Sequence, residues 1–166
     1  AYVTAAGAAR YETGNPDMSG SDAVKYFMKK VNEYAAKIGC TGTNFTVPDG
    51  FAYEGHYTTA HDLVIIAAKA LENPVISRCT ALPSDNVRYA SGHTNTWRNT
   101  NRLIDPESPY YRASVTGLKT GSLTDSYSLL VSEEINGKTY IIGIFSARTS
   151  NERYVIADSI IDLLAE

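Results

Sequence analysis

Apolar residues return at helical spacing through Val24, Phe27, Met28, Val31, Tyr34, Ala35 and Ile38, and Gly39 follows as a C-terminal stop. A stripe of this kind gives a helix one face to bury, so the segment is predicted as an amphipathic helix with Ser21 as its N-cap. The alanine-rich start, Ala1 to Tyr11, has helix-forming composition but no N-cap, and it resembles a helix entered partway. Glu12 to Gly20, between the two, has loop composition. After a predicted loop from Cys40 to Tyr57, turned by Pro48-Asp49-Gly50, Thr59 and Asp62 have the spacing of a capping box and open a helix through Leu71. Asn73-Pro74 ends that helix, and Val75 to Cys79 has room for one further helical turn or two.

From Asn86 the period shortens. Val87-Arg88-Tyr89 and Thr94 to Arg98, separated by Ser91-Gly92, predict a hairpin, and Val115 to Thr120 predicts a further strand. Tyr127 to Ile135 and Lys138 to Phe145 are joined by Asn136-Gly137, a pair suited to the type I′ turn because both central residues must take positive φ. At the end, Asn151 to Glu166 places Val155, Ile156, Ser159, Ile160, Leu163 and Leu164 on one helical face, which is expected to lie across the sheet. A mainly helical part (1–80) followed by strands and a closing helix (86–166), with no internal repeat, predicts an α+β fold rather than a βαβ alternation.

Composition narrows the function classes. The chain has 166 residues, 43% of them apolar, enough for one packed domain. Its net charge of −3 comes from scattered charges of both signs, without the basic block that nucleic acid binding needs. No apolar run approaches the roughly 20 residues that span a bilayer. Cys40 and Cys79 match no metal-ligand spacing and are expected to be two separate buried thiols. His56, His61 and His93 likewise form no ligand pattern, so neither a metal nor a cofactor is expected. No Gly-x-Ser-x-Gly supports a serine triad built on these histidines. Tyr110 and Tyr111 are expected to pack over a loop.

The candidate chemistry is Lys119-Thr120-Gly121, at the end of a predicted strand and just before the strong hairpin. Taken alone, the tripeptide is an ordinary strand end. A serine acyl-transfer site, by contrast, needs a cation and a hydroxyl to hold a substrate carboxylate, and a strand edge left clear for the substrate backbone. Lys119 supplies the cation, Thr120 the hydroxyl and Gly121 the clearance. The tripeptide is among the motifs of penicillin-recognising serine enzymes.

The surrounding residues carry the comparison further. Asn99-Thr100-Asn101, Leu103 and Gly117-Leu118-Lys119-Thr120-Gly121 resemble a stretch of the D-alanyl-D-alanine carboxypeptidases of the low-molecular-mass penicillin-binding protein group. Met28 to Gly39, Thr43-Asn44-Phe45, Asp49-Gly50 and Tyr57 to Leu63 are similar to an upstream stretch of the same family, and Arg153 to an arginine that it uses near the substrate carboxylate. The resemblance implies an incomplete β-lactamase/transpeptidase-like fold and trimming of peptidoglycan stem peptides through an acyl-serine. It implies Lys119 as a catalytic residue, Thr120, Gly121, Ser122 and Arg153 on the substrate, a stem peptide or a β-lactam as ligand, and an extracytoplasmic place at the cell envelope. Leu123 and Tyr127 stand where the family commonly has Thr and Gly, departures that bear on substrate preference.

The family also needs a Ser-x-x-Lys and a Ser-x-Asn. No lysine here has a serine three positions before it, and Ser84-Asp85-Asn86, which spells the second motif, lies too close to Lys119 and is read as a decoy turn. Residues 1–166 are therefore expected to form part of such a domain, starting just past the second motif and inactive alone. The rest would be supplied by a missing N-terminal part, a second chain or a swapped copy. The alternative is a non-catalytic cell-wall peptide-binding or interaction module.

Overall fold

The computed structural model describes residues 1–51 and 53–166. It contains helices α1 (Tyr2–Thr13), α2 (Gly20–Lys37), α3 (Ala60–Leu71) and α4 (Pro74–Ala81), strands β1 (Ser84–Arg88), β2 (Thr94–Arg98), β3 (Val115–Leu123), β4 (Ser126–Ile135) and β5 (Lys138–Ala147), and helix α5 (Glu152–Ala165). This is the α+β order expected from the pattern. The chain divides into two compact units, Ala1–Ile66 and Ala67–Glu166, with the boundary inside α3. No helix among the described residues is long and apolar enough to cross a membrane.

In the first unit α1 packs on α2 through Ala6, Ala9 and Ala23, small residues that let the two backbones approach. The cap of α2 is Ser19, not Ser21. Its hydroxyl accepts the Asp22 N–H at 3.1 Å and bonds the Asp22 carboxylate at 2.7 Å, a reciprocal pair that Ser21, already inside the helix, cannot make. Gly39 takes φ 102°, and the predicted turn at Gly50 takes φ 79°. Ala52, within the predicted loop, lies outside the described residues.

The loop after α2 is tied to the start of α3 by Asp62. Thr59 caps the Asp62 N–H at 3.1 Å, as the spacing predicts, while the Asp62 carboxylate accepts the Thr43 hydroxyl at 2.6 Å and the Gly42 N–H at 2.8 Å. Gly42 is required here, because a Cβ on it would lie 2.7 Å from the Thr59 methyl.

The second unit holds two antiparallel sheets, β1-β2 and β3-β4-β5. Asn136 and Gly137 turn β4 into β5 with φ of 51° and 73°, the pair of positive values that the sequence predicts. Leu129 and Val131 of β4, Ile142 and Ile144 of β5 and Tyr154, Ala157 and Ile161 of α5 form the core, where a large apolar side chain contributes about 1.5–3 kcal/mol on burial.

Three expectations are corrected in this unit. The inward face of α5 is Tyr154, Ala157 and Ile161, with Ile160 and Leu164 partly buried, whereas Val155, Ile156 and Leu163 are exposed. Long-range contacts fix that rotation: the Tyr154 ring stacks on Tyr110 at 5.2 Å, and Arg112 binds Asp158 at 2.6 Å and Asp162 at 2.7 Å. Ser84, Asp85 and Asn86 are not a turn but the start of β1, paired with Arg98, Trp97 and Thr96. Cys79 is exposed on α4, and only Cys40 is buried.

The Asp62 tie gives a pH test. Its carboxyl is held below its ordinary value of 3.8, first by the Thr43 hydroxyl and then by the Gly42 N–H, against the opposing effect of burial. A depressed folded-state pKa contributes stability that is full above the ordinary value and is lost as pH falls through the folded one. Thermal unfolding followed from about pH 6 down to about pH 2 is expected to show a shallower acid slope for Asp62→Asn than for the parent. Equal slopes would remove Asp62 as the source.

Candidate active site

The site is built on β3, which pairs only with β4 and so leaves its other edge without a strand among the described residues. A bare strand edge offers unpaired backbone donors and acceptors to an extended peptide. Successive side chains leave a strand on opposite faces. Accordingly Lys119 is exposed and Thr120 is buried, at 7% exposure, so the two do not rise side by side into one groove as the motif alone suggests. The lysine stem folds back to the edge, where Nζ donates to the Thr120 carbonyl.

Thr120 is held by Asn99-Thr100-Asn101. The Thr120 and Thr100 hydroxyls lie 2.6 Å apart. Only one of the two can donate to the other, which leaves the second O–H free for an acceptor. Asn101, fully buried, donates Nδ2 to the Gly117 carbonyl at 3.1 Å and accepts the Leu103 N–H at 3.1 Å. Asn99 donates to the carbonyls of Thr80 and Leu82, both at 3.1 Å, joining β3's brace to the end of α4. The Thr100 carbonyl accepts the Tyr154 hydroxyl at 3.0 Å, joining it to α5. Sequence reasoning marked these three residues only through a resemblance. The separation between Asn99 and its partners gave no local signal of the brace.

Arg153, on the first turn of α5, is 5% exposed. Its Nη1 donates to the Gly121 carbonyl at 2.9 Å, the Ser122 hydroxyl at 3.1 Å and the Ser128 carbonyl at 3.2 Å, and its Nη2 donates to Ser150 at 3.2 Å. The rings of Tyr154 and Tyr127 flank the guanidinium at 4.9 and 5.7 Å. Tyr127, a departure from the family pattern, is thus a wall of this cation's seat. No carboxylate pairs with Lys119 or Arg153 among the described residues, and the Nε of Arg153 is buried without a partner. Two cations without a carboxylate partner thus reach the end of β3 separately, Lys119 at its edge by the Thr120 carbonyl and Arg153 at Gly121 and Ser122, in a chain whose net charge is negative. Burying a guanidinium without a counter-anion is costly, and an anionic ligand at Gly121 and Ser122 would offset that cost.

The two glycines of the motif differ in what holds them. A Cβ on Gly117 would lie 3.0 Å from the Thr80 hydroxyl and 3.2 Å from that of Ser132, so a side chain there would crowd both hydroxyls. A Cβ on Gly121 would meet only Ser128, at 3.7 Å, an ordinary contact. The fold does not require glycine at 121. His56 and His61 belong to the first unit, where His56 Nδ1 accepts the Thr46 N–H at 3.1 Å, and His93 stacks on Tyr89 at 5.9 Å.

Comparison with known proteins gives consistent matches. A family model described as D-alanyl-D-alanine carboxypeptidase matches residues 17–149. The chain is 32% identical over 146 residues to the D-alanyl-D-alanine carboxypeptidase DacF of Bacillus subtilis (strain 168), covering 87% of this chain and 36% of DacF. Its structure matches the Streptomyces K15 DD-transpeptidase with a TM-score of 0.77 and 26% identity, over 87% of this chain and 56% of that one. It shares the fold of penicillin-binding protein D2 from Listeria monocytogenes, solved in a cefotaxime-bound form, with a TM-score of 0.71, 24% identity and coverage of 84% and 55%. The chain thus spans less than two thirds of the length of each of these relatives.

The glycine contrast is testable by thermal unfolding. Gly117→Ala is expected to destabilise the chain by about 1–3 kcal/mol, the usual cost of overpacking, while Gly121→Ala is expected to unfold with the parent. Equal destabilisation by the two would contradict the packing described for β3.

Proposed function

Since the chain belongs to the D-alanyl-D-alanine carboxypeptidase family, we propose that it forms the Lys-Thr-Gly side of an enzyme that removes the terminal D-alanine from peptidoglycan stem peptides. The observation that carries this reading is the pair of uncompensated cations, Lys119 and Arg153, at the open end of β3 beside the paired Thr100 and Thr120 hydroxyls. In this reading the substrate's terminal carboxylate lies at the edge of β3, where it accepts from the Lys119 ammonium that folds back to that edge and from the free O–H of the Thr100–Thr120 pair, while Arg153 at Ser122 adds positive potential. Its backbone lies along β3 at Gly121, where no side chain intervenes.

The attacking serine and its base come from outside these residues, since no Ser-x-x-Lys occurs in the sequence. The serine oxygen attacks the carbonyl carbon of the penultimate D-alanine and its proton passes to the leaving amine. The C–N bond breaks, and water then hydrolyses the acyl-serine. Lys119 is assigned to keep the potential positive, which favours both deprotonation of the serine and retention of the carboxylate. A β-lactam, carrying a carboxylate beside an acylating carbonyl, fits the same contacts. The reading puts the protein at the cell envelope.

A second reading, a peptide-binding module without catalysis, uses the same carboxylate contacts. Fluorescent penicillin separates the two when applied to the chain alone and to the chain complemented by the Ser-x-x-Lys and Ser-x-Asn portion of a relative. Covalent label is expected only in the complemented protein. There, Arg153→Gln is expected to slow labelling by about tenfold or more, from loss of a charged hydrogen bond. A complemented protein that is folded by circular dichroism yet takes no label would leave the binding module as the better reading.

A further inference from the structure

A cavity of about 260 Å³ lies beside the brace, between the end of α4 and the β1-β2 hairpin. Asn99 of the brace lines it, and the next residue in the chain, Thr100, bonds Thr120. Asp85 and Trp97 are direct partners across the hairpin, which puts their side chains on one face, about 4.5–5.5 Å apart at Cβ. Val87, two residues from Asp85, shares that face, and Leu82 adds a further apolar wall. Arg98 and its cross-strand partner Ser84, which belong to the other face of the hairpin, line the cavity as well.

Two features of this face have no use inside the described residues. The Asp85 carboxylate has no ion pair or side-chain hydrogen bond. Trp97, the only tryptophan of the chain, is 57% exposed although its ring is among the most costly surfaces to leave in water. A carboxylate beside an open indole face, over an apolar wall, is complementary to an ammonium group on an aliphatic stem. The carboxylate pairs with the charge, the ring attracts it through its quadrupole, and Val87 and Leu82 receive the methylenes.

We propose that this cavity is a subsite for an amine-bearing side chain of a peptide ligand. Assigning the amine to a peptide rests on the carboxypeptidase reading. Binding itself does not, because no acylation is involved, so failure here leaves that reading standing.

The test uses the chain itself with two reporters in the cavity, Trp97 emission and the rate at which a maleimide modifies Cys79, the exposed thiol. The probes are Nα-acetyl-lysine methylamide, its uncharged counterpart Nα-acetyl-norleucine methylamide, and hexylamine as an amine with no peptide attached. The lysine probe is expected to change the emission saturably and to slow Cys79 modification, with the norleucine probe at least about tenfold weaker. Asp85→Asn, an exchange of an exposed side chain, is expected to weaken the lysine probe by a similar factor with an unchanged circular dichroism spectrum. Binding by hexylamine as well supports the assignment to the ammonium head. Equal binding of the lysine and norleucine probes, unaltered affinity in a folded Asp85→Asn chain, or no response to the lysine probe overturns the proposal.

Discussion

The carboxamide of Asn101 is the constraint on which the site depends. Fully buried, it has one end on the Gly117 carbonyl of β3 and the other on its own loop at Leu103, and removal of either partner would leave a polar group unpaired in the interior. Asn99 extends the same loop to the end of α4, and the Thr100 carbonyl extends it to α5 through Tyr154. In the proposed reading the edge of β3 receives a peptide, and no strand among the described residues pairs on that side. The hydrogen-bonded loop anchors β3 from one end while the edge stays open.

With β3 fixed in this way, charge can be concentrated at its end. Arg153 is buried between two tyrosine rings and donates to two β3 and β4 carbonyls, yet has no carboxylate to neutralise it. Carbonyl dipoles and ring quadrupoles hold a guanidinium in place without cancelling its charge, so its field remains available to a ligand. This unneutralised charge sits at a place where the backbone is already well determined.

Local signals made much of the fold legible in the sequence. The helix of the α2 stripe, the Thr59–Asp62 cap and the Asn136-Gly137 turn are each decided within a few residues, and each is found in the structure, although Tyr34 of that stripe is exposed. The rotation of α5 was not legible in its apolar pattern, because Tyr154 and Arg112 set it through partners far away in the chain. Ser84-Asp85-Asn86 has turn composition but is drawn into a strand by its pairing with β2. At the site, Gly117 and Gly121 are indistinguishable as letters, yet a side chain would crowd Thr80 and Ser132 at the first and meet only Ser128, at ordinary contact distance, at the second. Lys119, Thr120 and Arg153 were marked by the motif and the resemblance. That Thr120 depends on Thr100, and that Arg153 reaches Gly121 and Ser122 directly, follows only from the packing.

Carboxylate binding at the end of β3 can be measured by an amide chemical-shift titration of the chain with N-acetyl-D-alanine, with N-acetyl-D-alanine amide as the uncharged control. Saturable shifts centred on Thr120, Gly121 and Ser122 are expected for the acid alone, weakened by added salt. Shifts of the same size with the amide, or none at these three residues, would contradict it.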